Sequence, residues 1–252
     1  MKAVVVWAVL CSEVVRAVDL QNLGLRIEEN HNEYSPMENE NLTEGDILED
    51  SGTLPGFYNA ITSDLERWPK RIIPYVVDPS LKGKEAFIRE AMDYIQSATK
   101  CIRFVQKNRE HDFVRIAAKD GCYSNVGRKG GEQILSLGQG CDRFGIVVHE
   151  LTHALGFHHE HMRFDRDSYI RVHLENVKPK FRDQFRTKKP GEHRLLTSFD
   201  YDSIMLYGSK AFTKSRDKYS MTRLDGSLLP ETSQKRGLSK SDIKRIHKLY
   251  GC

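Results

Sequence analysis

The sequence predicts an α+β domain, with strands and one helix ahead of a histidine-rich tract and irregular structure behind it. Three observations carry that expectation. RIIPYVV, CIRFVQ and FVRIAA are short runs rich in β-branched and aromatic residues. KEAFIREAMDYIQSATK places Phe87, Ile88, Ala91, Met92 and Ile95 at helical spacing. Beyond the histidines the chain is polar and loop-rich until SKSDIKRIHKLYGC, which supplies a final helix with Ser239 or Ser241 as its N-cap. With 252 residues, 39% of them hydrophobic, the chain can bury one substantial core in a single large domain or in two lobes.

Taken in order, the elements begin with MKAVVVWAVLCSEVVRA. Lys2, an apolar run from Ala3 to Cys11 and the Val15-Arg16-Ala17 end read as a secretory signal, residues 1–17, cut after Ala17. The product is therefore expected to be secreted and extracellular. Residues 18–58 lack sustained periodicity and read as a mostly extended leader ending in SGTLPGFY. That leader holds ten acidic residues against Arg26 alone, a net of −9. The signal contributes +1 to a whole-chain charge of +4, which leaves +12 on residues 59–252. An acidic leader on a basic body suggests a cover that is later cut away. In the body, the runs named above are followed by CYSNVGRKGGEQILSLGQGC, a Gly-rich segment with one short strand candidate, QILSLG. GIVVHELTHALG then runs at helical spacing and stops at Gly156.

Several function classes are disfavoured. No apolar run reaches the roughly 18 residues of a membrane span, and no nucleic-acid motif is found. An oxygen-rich DxDxDG calcium loop is missing too. Removing Cys11 with the signal leaves Cys101, Cys122, Cys141 and Cys252. An even number behind an export signal favours disulfides, and four cysteines allow three pairings. No CxxC spacing offers a cysteine-bound zinc.

The chemistry concentrates in HELTHALGFHHEH, residues 149–161. On a helix His149 and His153 share a face, with Glu150 beside them. Two neutral imidazoles one turn apart can grip one metal ion. Gly156 can adopt a backbone conformation closed to other residues and turn the chain, which brings His159 back as a third ligand. Three nitrogens leave a position for water, the condition of a catalytic zinc site. Glu150 is placed to take that water's proton. His158 and His161 fall out of register and are expected to be exposed. Some forty residues later, Ser203-Ile204-Met205-Leu206-Tyr207 fits the methionine turn that underlies such a metal site.

HELTHALGFHHEHMRFDRD matches HExxHxxGxxHExxRxDRD, and SIMLYG matches SxMHYG with Leu206 where histidine is usual. On these motifs, residues 59–252 resemble the astacin family of zinc endopeptidases, a branch of the metzincins. The resemblance implies a two-lobed zincin domain with a twisted mixed sheet, an active-site helix and a C-terminal helix. It implies one Zn2+ per chain on His149, His153 and His159, Glu150 as general base, Met205 beneath the metal, and Tyr207 as a mobile fifth ligand that stabilises the oxyanion. It also implies disulfides Cys101–Cys252 and Cys122–Cys141, and makes QILSLG the edge strand along which a substrate pairs. Family leaders carry FxGD, whose aspartate blocks the zinc. Here Thr43-Glu44-Gly45-Asp46 keeps the glycine and aspartate, so Asp46 is the latch candidate; Asn41-Leu42-Thr43 beside it is a glycosylation sequon. Trp68, aligned with the family's early tryptophan, sets the mature terminus at Asn59, folding inward to Glu160.

The expectation is therefore a secreted zymogen that matures to a monomeric zinc endopeptidase acting on protein or peptide substrates. Because the chain stops one residue after Gly251, a bare catalytic domain of the venom, hatching or digestive type is expected. The alternative, an inactive secreted binding protein on the same fold, is disfavoured because the base and all three ligands are present. Arg223, in TRLDG, is the candidate for a basic side chain that selects an acidic residue after the scissile bond.

Overall fold

The structure, a computed structural model, describes residues 35–49, 60–61, 63–187, 194–215 and 217–252. The expected signal, leader residues 18–34 and 50–58, and the expected mature terminus Asn59 lie outside the described residues.

A five-stranded mixed sheet forms the upper half of the fold. Its strands are β1 (Ile72–Val77), β2 (Arg103–Gln106), β3 (Phe113–Ala117), β4 (Cys122–Ser124) and β5 (Glu132–Leu137), in the order β2-β1-β3-β5-β4. All neighbours are parallel except β4, which runs antiparallel to β5 along one edge. Pro74 interrupts β1 only where β2 alone is paired, since the register with β3 begins at Tyr75. The missing N–H therefore falls outside the ladder shared with β3.

Helix α1 (Glu85–Thr99) packs against helix α2 (Phe144–Ala154) and buries Ile88, Ala91, Met92 and Ile95 of the expected stripe, with Thr99 in addition, while Phe87 is half-buried. Every residue of α2 from Gly145 to Ala154 is buried. An all-round buried helix needs its end carbonyls satisfied from outside. Trp68 donates its indole N–H to Ala154 O at 2.8 Å, and the Tyr250 hydroxyl donates to Leu155 O at 2.9 Å.

Past α2 the chain is built from short turns. Among the described residues it carries short 3-10 helices, the two-stranded pair β6 (Ile170–Val172) and β7 (Met221–Arg223), and helix α3 (Lys240–Tyr250). Of the two N-cap candidates Ser239 takes the role, in a reciprocal capping box with Asp242. Disulfides join Cys101 to Cys252 and Cys122 to Cys141, with Cα separations of 6.0 and 5.7 Å. The first ties the end of α3 to the chain between α1 and β2. Among the described residues no helix is long and apolar enough to cross a membrane.

Two expectations need correction. QILSLG is not an edge strand: β5 lies between β3 and β4, and the edge belongs to the three-residue β4. Residues 35–49 are not extended either. They fold into turns closed by a bridge between Thr43 and Ile47, with Thr43 N–H donating to Ile47 O at 3.1 Å and Ile47 N–H returning to Thr43 O at 2.9 Å. The β-branched Thr43, in place of the family's phenylalanine, sits comfortably in that bridge.

Candidate active site

Helix α2 presents His149 and His153 one turn apart, their ring centroids 4.6 Å from each other. Gly156 then takes φ +106° and swings the chain so that His159 faces the same point. Each ring is fixed by what its Nδ1 holds. His149 Nδ1 lies 2.7 Å from Ile204 O in the methionine turn, and His153 Nδ1 lies 2.7 Å from Phe157 O. Carbonyls only accept, so these Nδ1 atoms carry the protons and both Nε2 atoms present lone pairs inward. His159 Nδ1 is held at 2.7 Å by the carboxylate of Glu44.

Into the space between the rings comes Asp46, fully buried, from the acidic segment. Its Oδ1 stands 3.3 Å from His153 Nε2 and 3.1 Å from His159 Nε2, and its Oδ2 stands 3.2 Å from His149 Nε2. One ligand atom from each of Asp46, His149, His153 and His159 falls within 4.8 Å of all the others. Nitrogen lone pairs and a carboxylate crowded this closely repel unless a cation sits among them. His153 Nε2 and Asp46 Oδ1 have no hydrogen-bond partner of their own. Three imidazoles and one carboxylate oxygen are a tetrahedral set suited to zinc, so the residues present fit such an ion.

Among the protein groups alone, the charges divide unevenly. Burial works against the Asp46 carboxylate, but the surrounding imidazoles, His159 first and then His153, outweigh it and hold its pKa well below the usual range. His159 resists burial in the same way: Asp46 and Glu44 raise it to about 9. Burial dominates at His149 and takes it down to about 4.

Glu150 is fully buried beside this cluster, and among the described residues neither of its carboxylate oxygens has a hydrogen-bond partner. Burial and the nearby Asp46 charge push its pKa well above the ordinary carboxylate value. Tyr207 donates its hydroxyl to Asp46 Oδ2 at 2.5 Å and lies 3.2 Å from the carbonyls of Met37 and Glu44. Met205 is buried in the turn between Ile204 and Tyr207.

The acidic segment reaches this point along the sheet edge. Leu48 N–H donates to Ser124 O and Ser124 N–H donates to Asp46 O, both at 2.9 Å, in a parallel bridge to β4. Gly45 is required in the turn. It adopts φ +92°, and a Cβ there would lie 2.7 Å from the Phe212 ring and 2.8 Å from Met37 O. Farther out, Glu38 accepts from Phe212 N–H at 2.9 Å, and Glu40 pairs with Lys180 at 2.5 Å.

A family model described as Astacin, a peptidase family, matches residues 60–251. The chain belongs to the astacin family. It is accordingly a metalloendopeptidase of a zinc-dependent family. This astacin is 44% identical over 215 residues to Astacin-like metalloprotease toxin 1 of Loxosceles intermedia, covering 84% of the chain and 81% of the relative. It is 44% identical over 183 residues to High choriolytic enzyme 1 of Oryzias latipes, covering 72% and 66%. The solved structure of that hatching enzyme zinc-protease superposes with a TM-score of 0.67 at 39% identity, over 82% of this chain and all of the other.

Against the expectations from sequence, the astacin brings Asp46, His149, His153, His159, Glu150 and Tyr207 together. His158 and His161 are not exposed: they retain 7% and 0% accessibility. His161 stacks on Tyr207 at 5.0 Å and lies 5.7 Å from Phe185, so tertiary packing covers a position that helical register cannot describe. Glu160 is buried between two arginines, with Arg245 at 2.5 Å and Arg163 at 3.2 Å, and also accepts from Asp200 N–H at 2.9 Å. Arg223, at the end of β7, holds its guanidinium 4.4 Å over the Tyr201 ring. Sequence reading missed Glu44 and Asp242. The acid two residues before Asp46 and the Ser-x-x-Asp pattern at the start of α3 were the signals for them.

Proposed function

We propose that this astacin is made as a secreted zymogen, with residues 1–17 as signal, 18–58 as leader and 59–252 as the catalytic domain. In this reading His149, His153 and His159 hold one Zn2+, Asp46 is the inhibitory latch, and Glu150 is the general base. The observation that carries it is the convergence of three Nε2 atoms on the buried Asp46 carboxylate. A carboxylate from the leader stands where an attacking water would have to be, so the same contacts that fit a metal also fit latency.

When bound, the metal would acidify a water and polarise the scissile carbonyl. The remaining work belongs to the chain. Once the leader departs, the Asp46 charge that disfavours ionised Glu150 leaves with it. The Glu150 carboxylate then accepts the attacking water's proton and passes it to the departing amine nitrogen. Tyr207, released from Asp46, Met37 O and Glu44 O, has a free phenolic O–H to donate to the oxyanion. Edge strand β4, freed of its bridge to residues 46–48, offers Ser124 N–H and O to an extended peptide.

Substrates are proteins or peptides, and the relatives named as a toxin and as a choriolytic enzyme support an extracellular setting. The test is zinc analysis of the purified precursor, with cleavage of a generic protein before and after activation and with a chelator. One zinc per chain and chelator-sensitive activity after activation are expected. A metal-free precursor, or activity indifferent to chelation, overturns the reading.

A further inference from the structure

The methionine turn is held by two opposite charges, Asp242 and Lys235, whose contacts fall on Ser203, Ile204 and Leu206. Asp242, at the start of α3, accepts from Ile204 N–H and from the Ser203 hydroxyl, both at 2.7 Å. Lys235 donates its ammonium to Ser203 O at 2.7 Å and to Leu206 O. Donor and acceptor roles are thus divided: the aspartate takes the turn's hydrogens and the lysine takes its carbonyls. Between the two lysine contacts lie Ile204, whose carbonyl anchors His149 Nδ1, and Met205, whose carbonyl accepts from Glu160 N–H at 2.9 Å. The backbone of the same lysine touches the other half of the cradle. A methyl group on Gly145, in the first turn of α2, would lie 2.2 Å from Thr232 O and 2.7 Å from Lys235 O.

We infer that Lys235 is a positioning residue of the metal site, fixing the Ser203–Leu206 turn against α2 so that Ile204 O holds the His149 ring in its ligating orientation. A charged donor serving two carbonyls resists displacement better than a neutral one would. Burial draws the lysine's pKa down to about 8 against the attraction of Asp242, Glu231, Asp200 and Asp202, so the ammonium is largely retained at neutral pH. The proposal rests on His149 being a metal ligand. It adds that the geometry of this ligand is set from a residue eighty-six positions away, reached through one carbonyl. Partners that orient a ligating histidine typically govern metal affinity by about 10–100-fold, and an indirect brace belongs at the lower end.

The experiment uses the full-length precursor, stripped and reloaded with metal. Zinc affinity is measured by competition with a chromophoric chelator, and the visible spectrum is recorded after cobalt substitution. Lys235→Met, which keeps the stem and removes the donors, should weaken zinc by about tenfold and shift the cobalt bands. Lys235→Arg, which keeps charge and donors, should remain within about threefold of the parent with unchanged bands. If the methionine variant does not fold, Lys235→Gln carries the same expectation. Parent-like affinity and spectrum in the methionine or glutamine variant overturn the proposal, as does an arginine variant no better than methionine. A parent that binds no zinc instead overturns the ligand assignment itself, so the two failures are told apart.

Discussion

Replacing Asp46 by alanine in the precursor removes the group on which latency is proposed to turn. Its carboxylate receives the Tyr207 hydroxyl at 2.5 Å and meets three imidazole nitrogens at 3.1–3.3 Å, all in full burial. A hydrogen bond to a charged group is worth about 1.5–3 kcal/mol net. Counting the phenol and the imidazole cluster as one such interaction each gives about 3–6 kcal/mol, or about 10²–10⁴ in the open population. The leader would still dock, because Glu44 on His159, Glu38 on Phe212 N–H and the β4 bridge all remain. The expected phenotype is therefore a precursor of intact length with measurable activity, not an unfolded one. Initial rates on a quenched fluorescent peptide, with gels confirming that the leader is uncut, give the readout. Asp46→Asn, which keeps the shape and loses the charge, should fall between parent and alanine. A silent alanine precursor refutes the reasoning and assigns latency to occlusion by the rest of the leader.

Glu150→Gln in the activated enzyme should retain zinc by metal analysis and lose about 10²–10⁴ in kcat, the usual worth of general-base assistance; substantial remaining turnover would exclude Glu150 as the base. Glu38, in the docked leader, has its pKa raised to about 7 by burial. A raised carboxylate pKa means that docking is strongest with Glu38 protonated and weakens as pH rises through about 7. Self-activation should accordingly quicken across that range, and Glu38→Gln should flatten that part of the profile. Arg245→Met removes the shorter of the two arginine contacts to buried Glu160, while Arg163 and the Asp200 N–H stay, and should cost about 3–5 kcal/mol in denaturant unfolding. An unchanged midpoint would show that Arg163 suffices.

The histidine tract was legible because each of its constraints is local. A helix puts positions four apart on one face, and a glycine ends it, so the sequence alone can assemble three nitrogens and a neighbouring carboxylate. The same locality explains α1 and α3, whose buried stripes follow helical spacing. His161 is two residues past the third histidine and fails by the same logic. Beyond Gly156 no periodicity relates a residue to a face, and its burial depends on Tyr207 and Phe185, which come from elsewhere in the chain.

Strand order was hidden for a different reason. Gln133 reads as an outward polar position of a half-exposed edge strand, yet it is 4% accessible, because its amide donates to Gly127 O at 2.7 Å and its carbonyl accepts from Lys129 N–H at 3.0 Å. Leu135, Ser136 and Leu137 are buried in succession, as an interior strand requires, but three residues are too few to outweigh the glutamine. The edge strand β4 is shorter still, and nothing in Cys122-Tyr123-Ser124 marks it as a strand; only its pairing with β5 does so. The leader's turn is the extreme case. Glu44 adopts φ +55°, a left-handed conformation that a glutamate rarely takes without compensation. The compensation is the 2.7 Å contact with His159, more than a hundred residues away, so its strain and its role exist only once the active site has formed. In the proposed zymogen the latch would thus be specified jointly by leader and enzyme. Glu44→Gln in the precursor should loosen it by about tenfold, and non-additively with Asp46→Asn, because both carboxylates touch the His159 ring. An additive double mutant, read from the same initial rates, would show that the two act independently of that ring.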